Sequence, residues 1–407
     1  MDRQNAITPF PHRQGQLAEL EHAFNLIYDR TILQQLQEYR WTGRPGYPLS
    51  ALWRAYVASF VLNLPHTNAL IRLLEDNVQL RNFCGFGDQL PHRTTFNRFI
   101  SRLSHHSDLV ESCLTRLTCR LKQIIPNLGH EVAIDSTAVR SHSNGNRKHG
   151  ASDPEATWGV KHSARSRDKE QTEYFYGYKV HMVADANHDI PLAQIVTTGS
   201  RNDSPVLPDL MKHAQKYMPW LKPKVAIADR GYDALSNHKF LDDAGIYAII
   251  HLRKQSKDGP LHFGIYDTQG RPHCMGNQPM QYVKTNKKEG HLYRCHPQGC
   301  KLKNSKAGAI THCDGWSWEQ PESNLRIISR IPRSTRTWKR LYTKRQSIER
   351  VFKGQKESRR LEAHCVRGMR KITLHCLMST LAFQVTALNN RLQGIKEEAN
   401  WMVRRIA

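Results

Sequence analysis

Two short apolar runs, each ending in an aspartate, constrain this chain most. Glu131-Val-Ala-Ile-Asp135 and Lys224-Val-Ala-Ile-Ala-Asp229 are β-branched and alanine-rich, and too short for a helix. Each reads as a buried strand that ends by delivering a carboxylate. Between them the sequence predicts an antiparallel pair over Tyr176–Asp185 and Ile190–Thr197, joined at Ala186-Asn-His-Asp189. A helix is expected over Ser204–Lys216. A second helix (about 234–244) and a strand (246–252) follow Asp229. The stretch from His142 to about Glu173 is polar, contains His and Gly, and reads as a loop.

A second feature lies at Tyr342–Lys356, YTKRQSIERVFKGQK. On one helix, Tyr342, Arg345, Glu349 and Lys356 fall within an arc of roughly 60°. Leu341, Ile348 and Phe352 form the neighbouring stripe and are expected to face a core. A carboxylate flanked by Arg and Lys suits a metal ion and a phosphate held together. Gly354 inside this helix marks either a kink or a close backbone approach.

The spacing Tyr-x2-Arg-x3-Glu-x6-Lys resembles the C-terminal signature of insertion-sequence DDE transposases. Asp135, the turn Asp229-Arg230-Gly231-Tyr232, the strand Tyr176-Gly-Tyr-Lys-Val-His181 and the loop Asn202-Asp203-Ser204 resemble other elements of that family, in the same order. The resemblance implies an α/β, ribonuclease-H-like mixed sheet flanked by helices. It implies that Asp135, Asp229 and Glu349 are the catalytic carboxylates and hold two Mg2+ ions, with Mn2+ able to substitute. Tyr342, Arg345, Lys356 and Arg230 are then expected to contact DNA. Transposon-end and target double-stranded DNA are the implied partners, with a homodimer suited to cutting two ends. A ribonuclease-H-like nuclease that does not join strands shares the same triad. A transposase-derived DNA-binding regulator would instead lack a carboxylate.

Composition agrees with a polyanionic partner. Lys and Arg number 60 against 36 Asp and Glu, a net charge of +24. Counterion release on phosphate contact favours nucleic acid over a membrane surface. The 407 residues suggest more than one domain. No apolar run of membrane-spanning length and no leader-like start are read, so a cytoplasmic, nucleoid-associated protein is expected. Between Arg336 and Lys371 there are 13 Lys or Arg and 3 Asp or Glu, enough to line a DNA path.

Residues 15–125 read as helices, with Leu17, Leu20, Phe24 and Ile27, then Leu49 to Leu64, at helical spacing. A further helix is expected from Asn68 to Phe83. In PHRTTFNRFISRLS, residues 91–104, Thr94 or Thr95 is expected to cap a helix presenting Asn97, Arg98 and Arg102 outward. That helix is either the base-reading element of a helix-turn-helix, with Arg98 on DNA, or part of a plain bundle.

From about Arg253 to Glu322 core character is lost, and a small β-rich or irregular insertion is expected. Cys274, Cys295, Cys300 and Cys313 fall there. Four cysteines suit tetrahedral zinc, but their spacing is loose and free thiols in a basic loop are the alternative. Asn324–Ile331 reads as a strand returning to the core, and Ile372–Leu392 as a buried helix. The expected partition is a helical N-terminal domain (1–127), a catalytic core in two parts (128–252 and 323–392), the insertion (253–322) and a tail (393–407).

Overall fold

The computed structural model describes residues 15–38, 46–146, 150–164, 170–253, 265–295 and 314–394. Among the described residues the chain opens with α1 (Gly15–Leu26), α2 (Arg30–Glu38), α3 (Leu49–Val61), α4 (Thr67–Asp76), α5 (Val78–Cys84), α6 (Arg93–Leu103) and α7 (Ser107–Ile124). The helix expected over 68–83 is two. Asn77 is extended there (φ −116°, ψ 92°), and its side chain accepts from Leu80 N–H, capping α5. Competition by an Asn side chain for backbone donors explains the break. α6 is capped by the His92 ring, which accepts from Thr94 N–H, and not by Thr94 or Thr95.

A six-stranded mixed sheet follows, built from β1 (Glu131–Arg140), β2 (Thr157–Ala164), β3 (Glu170–Asp185), β4 (Ile190–Thr198), β5 (Val225–Ala228) and β6 (Tyr247–Ile250). β3 is the hub. It pairs antiparallel with β1 and, along Tyr178–Asp185, with β4; its Glu170–Gly177 half pairs with β2. β1 pairs parallel with β5, and β5 with β6. Helices α8 (Leu207–Tyr217) and α9 (Leu235–Asp243) connect the later strands. β2 lies where a loop was expected. It is polar and pairs with an exposed extension of β3, with Trp158, Val160 and Tyr174 open to solvent. Among its described side chains Trp158, Val160 and Lys161 are exposed, so the alternation by which a buried strand is recognised is weak.

Side-chain alternation sends the two faces of the sheet to different partners. Val132, Ile134, Val183, Ala226 and Ala228 join α1–α8 and α12 (Met369–Leu392) in one core. Ala133, Val180, Met182, Val225 and Ile227 pack under α10 (Arg336–Thr343) and α11 (Gln346–Ser358), against Trp338, Leu341, Ile348, Val351 and Phe352. The stripe Leu341, Ile348 and Phe352 is therefore buried as expected. α12 packs on α7, α3, α1 and β4. By length and composition it could cross a membrane, but 89% of its most apolar window is buried in the protein. Each fully buried Leu there contributes roughly 2 kcal/mol, so its apolar character serves the core.

In the insertion, β7 (Gln281–Asn286), β8 (Gly290–Arg294) and β9 (Trp316–Glu319) form a three-stranded antiparallel sheet. Asn324–Ile331 is not a strand. The Asn324 side chain and carbonyl accept from Ile327 and Ile328 N–H and fold the segment into a turn. Its apolar residues Ile327 and Ile328 are buried with Leu252.

The 342–356 stretch is also not one helix. α10 ends at Thr343 and α11 begins at Gln346. Across the joint, Lys344, Arg345, Ser347 and Ile348 N–H bond to carbonyls three residues back, the tighter turn typical of helix ends. Lys344 Nζ is tied to Glu131 and Asn187, and Arg345 to Asp135. These anchors on β1 and the β3–β4 turn account for the tightened joint.

Candidate active site

The joint sits over Asp135. The strand β1 continues past this residue to Arg140, so Asp135 is mid-strand and not terminal as expected. What ends there is the pairing with β5, whose last rung is Ile134 with Ala228. Asp135 and Asp229 therefore both follow the last rung of two parallel strands. Asp135 shares the parity of Ala133, and Asp229, still extended (φ −74°, ψ 175°), that of Val225 and Ile227. Alternation alone aims both carboxylates at the face covered by α10 and α11.

From that cover comes Arg345. Its Nη1 lies 3.3 Å from Asp135 Oδ2, and its Nη2 bonds Glu349 one helical turn on. One guanidinium spans the carboxylates from β1 and α11. Asp135 Oδ1 accepts from its neighbour Ser136 N–H at 2.8 Å, and Asp229 Oδ1 accepts from Gly231 N–H at 2.6 Å. Burial, then the charge of Asp229, pushes Asp135 up to about 7, and Asp203 adds to the rise. Burial also raises Asp229, partly offset by Gly231 N–H and Arg345. Like charges placed this closely are held ionised only by a cation.

A buried network below fixes the Asp229 turn. Asp233, 1% exposed, accepts from Arg326 at 3.0 and 3.1 Å and from Arg253 N–H at 2.7 Å, and pairs with His238 at 3.1 Å. Burial would raise its pKa, but the His238, Arg253 and Arg326 contacts hold it below the ordinary value. Arg253 Nε also donates to the Arg230 carbonyl at 2.6 Å. The turn between β5 and α9 is thus locked from beneath by charges the sequence places far away.

The other expected residues are spread around this centre. Tyr342 stacks on Trp338 at 5.0 Å and meets His251 edge-on at 4.2 Å. Lys356 pairs with Glu362 at 2.6 Å, away from Glu349. Arg230 is exposed beside Asp229. Arg98 is exposed on α6, and among the described residues no ion pair joins it to the carboxylates. Cys274 and Cys295 are half-buried, while Cys300 and Cys313 lie outside the described residues.

Residues given no catalytic or binding role from the sequence also belong here. Asp203 is within electrostatic reach of Asp135 and Asp229. It accepts from Lys179 Nζ at 2.9 Å and lies 3.9 Å from the His181 ring. The alternating Lys179 and His181 of β3 were the signal: two polar residues on one face where the strand is otherwise buried and apolar, Tyr178–Ala184.

Among the described residues, no three or more His, Cys, Asp or Glu are grouped closely enough to hold a metal ion. Arg345 stands between Asp135 and Glu349 instead. The donor set still suits a hard divalent cation, since it is all carboxylate oxygen and its Asp pair is destabilised by its own charge.

The fold and the site define a mixed α/β protein with a cluster of acidic side chains under a basic helix. Its residues 128–384 match the Transposase DDE domain family, and residues 9–102 match the Transposase domain (DUF772) family. The chain belongs to the DDE transposases of insertion sequences. A relative from Burkholderia cepacia, described as a transposase for insertion sequence element IS402, is 37% identical over 83 residues. That match covers 19% of this chain and 39% of the relative. A piggyBac transposase synaptic complex with hairpin DNA is similar at a TM-score of 0.39 and 13% identity, over 95% of this chain and 77% of that one. A likeness this loose has no bearing on the fold.

Proposed function

We propose that this transposase cuts DNA at the ends of its insertion sequence and joins the freed 3′-OH to target DNA. The observation that carries the reading is the convergence of Asp135 and Asp229, on paired parallel strands, with Glu349 through Arg345. The strand order, with β4, β3 and β1 antiparallel and β5 and β6 added in parallel, supports a ribonuclease-H-like core.

Asp135, Asp229 and Glu349 would hold Mg2+, or Mn2+ in its place. Bound there, the ions would lower the pKa of a water and stabilise the leaving oxygen of an in-line displacement. Arg345 holds Asp135 and Glu349 together until a cation and a phosphate arrive, then turns its planar fork to the phosphate. Gly231 N–H orients Asp229, and the Asp233 network keeps that turn rigid. Arg230 and Tyr342, and Lys356 once released from Glu362, would hold the strand near the cut. α6, with Arg98, would contact the transposon end as part of an N-terminal domain spanning 1–127. Two copies, one per end, suit the reaction.

The test incubates the full chain and Mg2+ with DNA carrying the ends that flank its gene. Transfer of the 3′ end into a target plasmid is expected. Cleavage without transfer would identify a nuclease; binding without cleavage would identify a regulator.

A further inference from the structure

A cavity of about 300 Å³ opens between the N-terminal helices and the segment linking α11 to α12. Arg360, His364, Arg367, Lys371, His66 and Asn97 contribute to its wall, which contains no carboxylate. Its chemistry is therefore that of an anion site.

Two side chains are built into it at a cost to the fold. Arg360 is 7% exposed and holds φ at +62°, a region that L side chains rarely adopt. Asn63 Oδ1 accepts from its backbone N–H at 3.2 Å, Ser59 Oγ accepts from its Nη1 at 2.7 Å, and its guanidinium lies 4.5 Å over the Phe60 ring. Its Nη2 donates to the Pro65 carbonyl at 3.4 Å, and its Nε has no partner. His364 is 8% exposed, and neither ring nitrogen has a hydrogen bond of good geometry. Burial holds its pKa below the ordinary value, partly offset by the nearby backbones of Arg140 and Val366. Buried polar groups left unpaired at a cavity wall are satisfied by a water, an ion or a ligand.

The position also fits. Arg140 is five residues beyond Asp135 on β1, about 17 Å at 3.3 Å per residue. That is a few nucleotides of strand from the carboxylates.

We propose that this cavity binds a phosphate group, and that on DNA it takes a backbone phosphate of the strand engaged by the carboxylates. The second half rests on the DNA-acting function proposed above. Arg360 supplies a fixed cation and His364 a polar wall, while Lys371 and Arg367 at the rim add charge. The pocket would thus set the strand's register without reading bases.

Cys365 is exposed and lines the same cavity, so its reactivity reports occupancy. The full chain is alkylated with iodoacetamide, with Cys119 as internal reference, alone, with inorganic phosphate, or with a duplex oligonucleotide. DNA is expected to slow Cys365 at least about tenfold relative to Cys119. Lys371→Gln is expected to require roughly three- to tenfold more DNA for the same protection, and to lower the salt slope of binding by about 1. His364→Gln should weaken protection in the same direction. Protection by DNA and not by phosphate assigns the site to the strand. Protection by phosphate in a chain that binds no DNA removes the DNA-acting reading and leaves the anion site standing. An unchanged Cys365 rate with both ligands, or protection indifferent to both substitutions, overturns the proposal.

Discussion

Arg345 Nη1 lies 3.3 Å from Asp135 Oδ2, so the cation of the signature stretch already balances the carboxylate of the first strand. Its other terminal nitrogen holds Glu349. A guanidinium in that place competes with a divalent ion. Arg345→Ala is therefore expected to raise Mn2+ affinity of the DNA-free chain by about two- to fivefold, the worth of a partly exposed pair. The same change should reduce cleavage, because the phosphate loses its fork. Calorimetric titration with Mn2+ checks the first effect; unchanged or weaker affinity would show that Arg345 does not occupy the ion's position.

The Asp233 network makes a different kind of prediction. Asp233 and Arg326 are both nearly inaccessible and bonded twice. Removing one member leaves the other charge buried and unpaired, which costs about 3–5 kcal/mol. Arg326→Met should lower stability to urea by that amount, and Asp233→Asn added to it should recover part of the loss. Simple additivity of the two changes would mean that the pair is not coupled.

His181 gives the chain a specific sensitivity to acid. Burial, the leading cause, lowers its pKa from 6.5 to about 4. The folded state then refuses a proton that the unfolded chain accepts between those values. Stability contributed by this residue is complete above pH 6.5 and is lost as pH falls toward 4. The shift corresponds to about 3 kcal/mol. Urea melts at pH 7 and pH 4.5 should show a smaller loss in His181→Gln than in the parent chain. Equal losses would place the acid sensitivity elsewhere.

Much of the core was legible in the sequence because the runs that lead to the two aspartates are buried on both faces. Val132–Ile134 and Val225–Ala228 leave no choice but an interior strand, and the aspartates that follow are conspicuous for that reason. The helix stripe Leu341, Ile348 and Phe352 was legible through its spacing alone. What was missed depends on partners distant in the chain. The break at Lys344–Arg345 follows from ties to Glu131, Asn187 and Asp135. β2 exists only against the solvent-facing half of β3. Asp203 is held by Lys179 and His181, which no local pattern connects to it.

The central claim is that Asp135, Asp229 and Glu349 together perform DNA cleavage. The most direct test measures Mg2+-dependent strand cleavage at an end-containing duplex by Asp135→Asn, Asp229→Asn and Glu349→Gln, alongside their DNA affinities. Each substitution is expected to keep affinity within about threefold and to reduce cleavage by at least about 100-fold, since even supporting groups around a metal site cost 10–100-fold when lost. Cleavage at the parental rate by any one of the three would contradict the account.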